Sequence, residues 1–332
     1  MTDAIPMAEL WRGGRLESRH VGHAVIVHAE DGVIASWGEP ETLIYPRSSC
    51  KMIQALPLLE SGAAEAAGLT EAQLALACAS HSGARLHTDM VETWLAALGL
   101  REEDLRCGCH MPGDETARNG LIRAERQPCQ IHNNCSGKHS GFLTLNRHLG
   151  GGPEYVEPDH PVQQAVKEAF EATTGLSSPG YGIDGCSAPN FATTVTGLAR
   201  AMAFFAGANP EGSLRERAAA RLHRAMAAHP ELVAGEGRAC TELMRAMGGR
   251  VAIKTGAEAV FVAILPEQRL GVALKVVDGG TRGSEAAITA LLVHLGVLDG
   301  EHPAARKRLN AIQSNWRGLE TGIVTAAPGF PA

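Results

Sequence analysis

The sequence predicts an α+β protein: one antiparallel sheet of about five strands, with terminal helices on one face and a large helical insertion on the other. Three observations carry this. The stretch "VGHAVIVHAEDGVIASWGE" holds two β-rich runs split by Asp31-Gly32, the dipeptide of a tight hairpin. Much later, "RVAIKTG", "EAVFVAILP" and "LGVALKVVDGG" follow one another too closely for crossovers, so they must pair antiparallel. From Ser48 to about Gly249 the apolar spacing is mainly helical.

Taken in order, the hairpin comes first, and a helix is expected to start near Ser48 in "YPRSSCKMIQALPLLESG". Capping boxes mark two further helices, Thr70 with Gln73 before "LALACAS" and Ser213 with Glu216 before "RAAARLHRAMAAH". The three-strand meander follows, then the helical run "SEAAITALLVHLG". Residues 8–47 and 250–330 are expected to form a sheet lobe and residues 48–249 a mainly helical lobe, together one catalytic unit over 1–332. No internal repeat or low-complexity tract interrupts them.

Net charge is −6, so no basic stripe awaits nucleic acid or an anionic membrane, and a small-molecule partner is expected. No apolar run approaches the ~20 residues that span a bilayer, and "MTDAIPMAELWRGGRLESRH" has no export-type apolar core, which predicts the cytoplasm. In that reducing setting the eight cysteines read as thiols or metal ligands. The chain has 24 arginines and six lysines. Where any cation serves it uses arginine, so lysines are enriched where an amine must give up a proton.

Ser48 and Lys51 stand three apart, the spacing at which helical neighbours lie ~5–6 Å apart between Cβ atoms. This is a nucleophile with its base, provided burial or nearby positive charge depresses the amine. With 15 serines and six lysines, chance supplies about a quarter of such a match. Lys254-Thr255-Gly256 at a strand end strengthens it, since Ser-x-x-Lys with a later Lys-Thr-Gly is the paired signature of serine β-lactamases and penicillin-binding proteins. Their third element is matched only loosely by Ser80-His81-Ser82. This leaves a Ser80–Lys254 pair or a helix C-terminal cap at Ser80.

Two glycine-interrupted polar stretches, "IHNNCSGKHSGF" and "GYGIDGCSAPNF", look like site loops. Cys135 and Cys186 read as zinc ligands, with a third from Lys138 or His139, or else as ordinary thiols. Asp184 suits a substrate ammonium or an Asx-turn beside Gly185. Cys107-Gly108-Cys109 reads as buried small residues, His110 as structural, Cys240 as core, and "GGTRGSEAA" as a helix-start anion nest.

The set "RSSCK", "CASHSG", "HNNCSGKHSGF", "GIDGCSAPNF", "KTGAEAVF" and "KVVDGG" resembles the rhizobial-type L-asparaginase family, a cytoplasmic branch of the β-lactamase-like serine hydrolases. The resemblance runs over roughly residues 8 to 325. It implies a β-lactamase-like fold and hydrolysis of L-asparagine to L-aspartate and ammonia by two serine–lysine pairs, Ser48 with Lys51 and Ser80 with Lys254. It also implies one zinc ion per chain on Cys135, Lys138 and Cys186, substrate-binding or supporting contacts from Arg47, His139 and Asp184, and a homodimer. Other readings are a glutaminase, a β-lactam hydrolase, or a non-catalytic zinc or redox sensor switching through Cys135 and Cys186.

Overall fold

The structure, a computed structural model, describes residues 3–332. The chain forms two compact units. One takes the residues before Cys50 together with 193–207 and 242–332; the other takes 50–192 and 208–241.

Twelve strands occur among the described residues: β1 (Ile5–Arg12), β2 (Arg15–His28), β3 (Gly32–Trp37), β4 (Leu43–Ile44), β5 (Tyr181–Ile183), β6 (Pro189–Phe191), β7 (Thr193–Thr194), β8 (Ala252–Thr255), β9 (Val260–Leu265), β10 (Leu270–Val276), β11 (Ala311–Ser314) and β12 (Glu320–Ala326). Eight of them make the antiparallel sheet of the first unit, in the order β11-β12-β1-β2-β10-β9-β8, with β3 also on β2. The expected hairpin is β2–β3, and the expected meander is β8–β9–β10. The sheet is larger than the five strands expected, because β1, β11 and β12 join it. These three carry weak strand signals. Proline interrupts β1, β11 has only four residues, and β12 is mostly half-exposed.

Both faces of this sheet are covered within the unit. Ala8 and Leu10 of β1 cluster with Ala286 of the Thr281–His294 helix, the expected run "SEAAITALLVHLG". On the other face Gly271 of β10 admits the Val195–Gly207 helix so closely that a Cβ there would lie 2.0 Å from Ala203 N. The Val195–Gly207 helix therefore belongs with the sheet rather than with the helical region that was expected to hold it. Its sequence, VTGLARAMAFFAG, is apolar almost all round, as a helix laid against a sheet core must be.

The second unit is helical. Its Ser136–Leu149 helix is buried from Ser136 through Asn146. A Cβ on Gly137 would lie 2.5 Å from Leu76 O, so glycine lets the Glu71–Ala77 helix lie backbone to backbone against it. Both capping boxes form as expected, at Thr70–Gln73 and Ser213–Glu216. The helix expected to begin at Ser48 differs: Arg47–Cys50 is a 3₁₀ turn, followed by a four-residue helix, Lys51–Gln54. Arg47 enters that turn at φ 52°, a left-handed conformation that cannot continue an α-helix backwards. No helix among the described residues is long and apolar enough to cross a membrane.

Candidate active site

In the sheet unit the approach to Ser48 is pinned on both sides. β4 pairs with β7 through Leu43–Thr194 and Ile44–Thr193, just before the turn. Ser49 then donates to Pro46 O through both its amide (3.2 Å) and its hydroxyl (2.7 Å). Ser49 is thereby committed to the turn and buried, while Ser48 beside it is half-buried. The positive φ at Arg47, a non-glycine residue, stores backbone strain at this point. The end of β8 packs against the same turn: a Cβ on Gly256 would lie 2.6 Å from Pro46 O and 3.0 Å from Ser49 N. The Lys254-Thr255-Gly256 strand end and the serine turn are thus neighbours. Lys254 is buried, its Nζ 2.7 Å from Thr255 O.

Immediately after the turn, Lys51 is 1% exposed. Its Nζ donates to Ala79 O at 2.5 Å, to Ser80 Oγ at 3.1 Å and to Cys135 Sγ at 3.0 Å. Ser80 is set by the end of the Glu71–Ala77 helix and by its amide, which donates to Val233 O. Lys51, expected to serve Ser48, bonds Ser80 here.

Cys135 and Cys186 interact through their sulfurs, and the interaction moves the two thiols in opposite directions. That interaction, with burial, drives Cys135 far up, while the same interaction, aided by Lys138 and His139 against burial, drives Cys186 far down. Cys135 Sγ also lies 3.1 Å from Asn134 Oδ1, which accepts from it. Lys138 Nζ lies 3.0 Å from Cys186 Sγ; burial opposes its charge, but Cys186, Cys135 and Asp184 outweigh burial and hold the ammonium. His139 is wholly buried, with Nδ1 2.8 Å from the Tyr155 hydroxyl. Its Nε2 has no nitrogen or oxygen partner and faces Cys186, and burial pushes the imidazole down to about 4. His139 thus stands between Tyr155 and Cys186.

Asp184 Oδ1 accepts from the adjacent Gly185 N at 2.8 Å, one residue on rather than the two of an Asx-turn, and Ser187 N donates to Asp184 O at 2.9 Å. Burial drives the thiols of Cys50 and Cys107 up to about 12, so both pack as neutral groups. Cys109, expected to be buried, is exposed, as is His110. Cys240 is buried as expected. The expected anion nest is filled from within, since Gly280 N donates to Asp278 Oδ1 at 2.7 Å. Sequence reasoning missed Asn133, whose Oδ1 accepts from Cys135 N at 2.8 Å, and the tie between His81 and Ser136. The polar density of "IHNNCSGKHSGF" was the available signal for Asn133.

Among the described residues no three of the His, Cys, Asp and Glu side chains gather as a metal site. The convergent donors are Cys135, Cys186 and the Lys138 amine, with the orphaned His139 nitrogen behind them. Two neighbouring cysteine sulfurs suit a small thiophilic cation such as zinc, with lysine as third ligand once it releases its proton.

A family model described as L-asparaginase II matches residues 8–326. Among solved structures, Mglu in its tris and glutamate form is similar at 13% identity with a TM-score of 0.47, over 83% of this chain and 59% of that one. A putative beta-lactamase from Bacteroides dorei is similar at 11% identity with a TM-score of 0.45, over 82% of this chain and 93% of its own. A beta-lactamase from Mycobacterium bovis is similar at 13% identity with a TM-score of 0.45, over 82% and 94%. No curated protein sequence matches the chain.

Proposed function

Since this chain belongs to the L-asparaginase II family, we propose that it hydrolyses the side-chain amide of L-asparagine to L-aspartate and ammonia by a serine–lysine route. The observation that carries this is the buried Lys51 amine, three residues from Ser48 along the chain and 3.1 Å from Ser80 Oγ. A buried amine bonded to a hydroxyl is the arrangement that activates a serine.

In the reaction, Ser48 Oγ attacks the amide carbonyl while Lys51 Nζ takes the hydroxyl proton. The C–N bond breaks, that proton leaves with ammonia, and water attacks the resulting ester to release aspartate and restore the serine. Lys51 acts in both halves, Ser80 relays protons between them, and Lys254 is the second amine that the family likeness assigns to the reaction. Arg47 meets the substrate carboxylate and Asp184 its ammonium. Cys135, Lys138 and Cys186 would hold one zinc ion, which when bound supplies a fixed positive charge beside the substrate head group. The family likeness supports a cytoplasmic setting and a homodimer.

The test is ammonia release by purified protein from asparagine, glutamine and a chromogenic cephalosporin, with and without a chelator. Asparagine is the expected substrate, with Ser48→Ala lowering kcat about 1000-fold or more. Ser48→Ala retaining most of the wild-type rate would remove Ser48 from the chemistry.

A further inference from the structure

His81 follows Ser80 directly, and its buried ring makes two hydrogen bonds of fixed direction. The Gly83 amide lies 3.1 Å from Nδ1, and an N–H can only donate, so Nδ1 is bare and the proton sits on Nε2. Nε2–H donates to Ser136 Oγ at 3.0 Å, and the Ser136 hydroxyl donates onward to Ile131 O at 2.8 Å. The backbone runs a parallel tie, His81 N to Asn134 O at 3.1 Å. One side chain and one amide therefore stitch the segment that carries Ser80 to the segment that carries Cys135. Those are the two segments whose Oγ and Sγ receive the Lys51 amine.

The ring also stacks on His87, with centroids 4.8 Å apart and planes at 11°. His87 Nε2 is bonded to Glu231 O at 2.9 Å, which anchors the stack to a third segment. Burial first, then the neighbouring His87 and Lys51, holds His81 well below the ordinary imidazole range and keeps it neutral.

From this geometry we propose that His81 is a positioning residue: a neutral Nε2–H imidazole that sets the spacing of Ser80 and Cys135 about the Lys51 amine. Its effect on rate rests on the amidohydrolase reading above. His81 touches no reacting atom; it fixes the distance over which Lys51 passes its proton, and errors near 1 Å in such distances cost about 100-fold in rate.

Two substitutions separate the ring's two bonds. In His81→Gln the amide nitrogen reaches the place of Nε2 and keeps the Ser136 bond. In His81→Asn the oxygen stands where Nδ1 does, keeping the Gly83 bond and losing the other. His81→Asn and Ser136→Ala are expected to lower kcat about 10- to 100-fold with KM changed less than about 3-fold, and His81→Gln to return kcat to within about 5-fold of wild type. Asparagine turnover at the wild-type kcat in His81→Asn and in Ser136→Ala overturns the proposal, as does a kcat for His81→Gln no higher than that for His81→Asn. Thermal unfolding of each variant identifies any that fail to fold, and Ser136→Ala, the smallest change, then carries the kinetic test. Nitrogen NMR of the wild-type ring gives a readout independent of turnover: the Nε2–H tautomer is required, and an Nδ1–H tautomer or an imidazolium at neutral pH overturns the proposal. Wild-type protein inert toward asparagine overturns the amidohydrolase reading instead, and the ring tautomer is still measured.

Discussion

Lys51 shows how much one side chain can be asked to do. Its nitrogen lies within hydrogen-bond distance of three groups at once, Ala79 O, Ser80 Oγ and Cys135 Sγ. Lys51→Met keeps the apolar length and removes the amine. It is expected to abolish ammonia release, by about 1000-fold or more, while costing roughly 1–3 kcal/mol through the unpaired Ala79 carbonyl, read in urea unfolding. A variant with wild-type kcat would separate Lys51 from the reaction. Lysine scarcity made Lys51 and Lys254 legible, because a chain that writes arginine elsewhere marks its amines. The grouping of Cys135, Lys138 and Cys186 was suggested by two glycine-interrupted polar stretches, although no local spacing links residues 135 and 186. His81 was quoted in its motif yet not understood, because its meaning lies in Ser136, on another segment. Arg47 gave no signal either: nothing in an arginine announces a positive φ.

Elements place these residues, and glycines decide how closely the elements meet. Gly137 brings the Glu71–Ala77 helix onto the Ser136–Leu149 helix, and so brings Ser80 beside Cys135. Gly137→Ala must push Leu76 O away; we expect a loss of about 1–3 kcal/mol in unfolding and a lower kcat in the folded fraction. Ser213→Ala is the contrasting case. It removes the Ser213–Glu216 capping box at the start of the Leu214–Ala228 helix, at a cost of about 1 kcal/mol and with kcat unchanged. If the two variants lose activity alike, helix spacing is not what governs the rate. Caps were readable because they are written within four residues. Strands β1, β11 and β12 were not, because a strand's place in a sheet depends on partners such as Ala326 for Ala8, at the far end of the chain. The helix expected at Ser48 failed for a local reason, the left-handed Arg47, which turns the backbone before any regular helix can form.

At the scale of the whole molecule, buried imidazoles make folding sensitive to acid. Burial holds His223 at about 4, and His81 and His87 are also held below their ordinary range. Above about pH 6.5 these rings are neutral whether folded or unfolded and contribute no pH dependence. Between about 6.5 and 4 the unfolded chain binds protons that folded His223 refuses, so stability falls as pH falls, by about 1.4 kcal/mol per pH unit for that histidine. Below about 4 the folded ring charges as well and its share of the loss levels off. Urea unfolding from pH 7 to 4.5 should show this decline, and His223→Leu should flatten it by about one proton; parallel slopes would exclude His223 as a source. The overall α+β class was legible because β2–β3 and β8–β10 are local ribbons. What joins them is not local, since Val25 in β2 pairs with Ala273 in β10. During synthesis on the ribosome, the run HAVIVH therefore emerges long before the strand that will cover its edge exists. For that interval the nascent polypeptide carries a bare, sticky ribbon, so recovery of native enzyme from cells will depend on cool, slow expression or on chaperones that shield it.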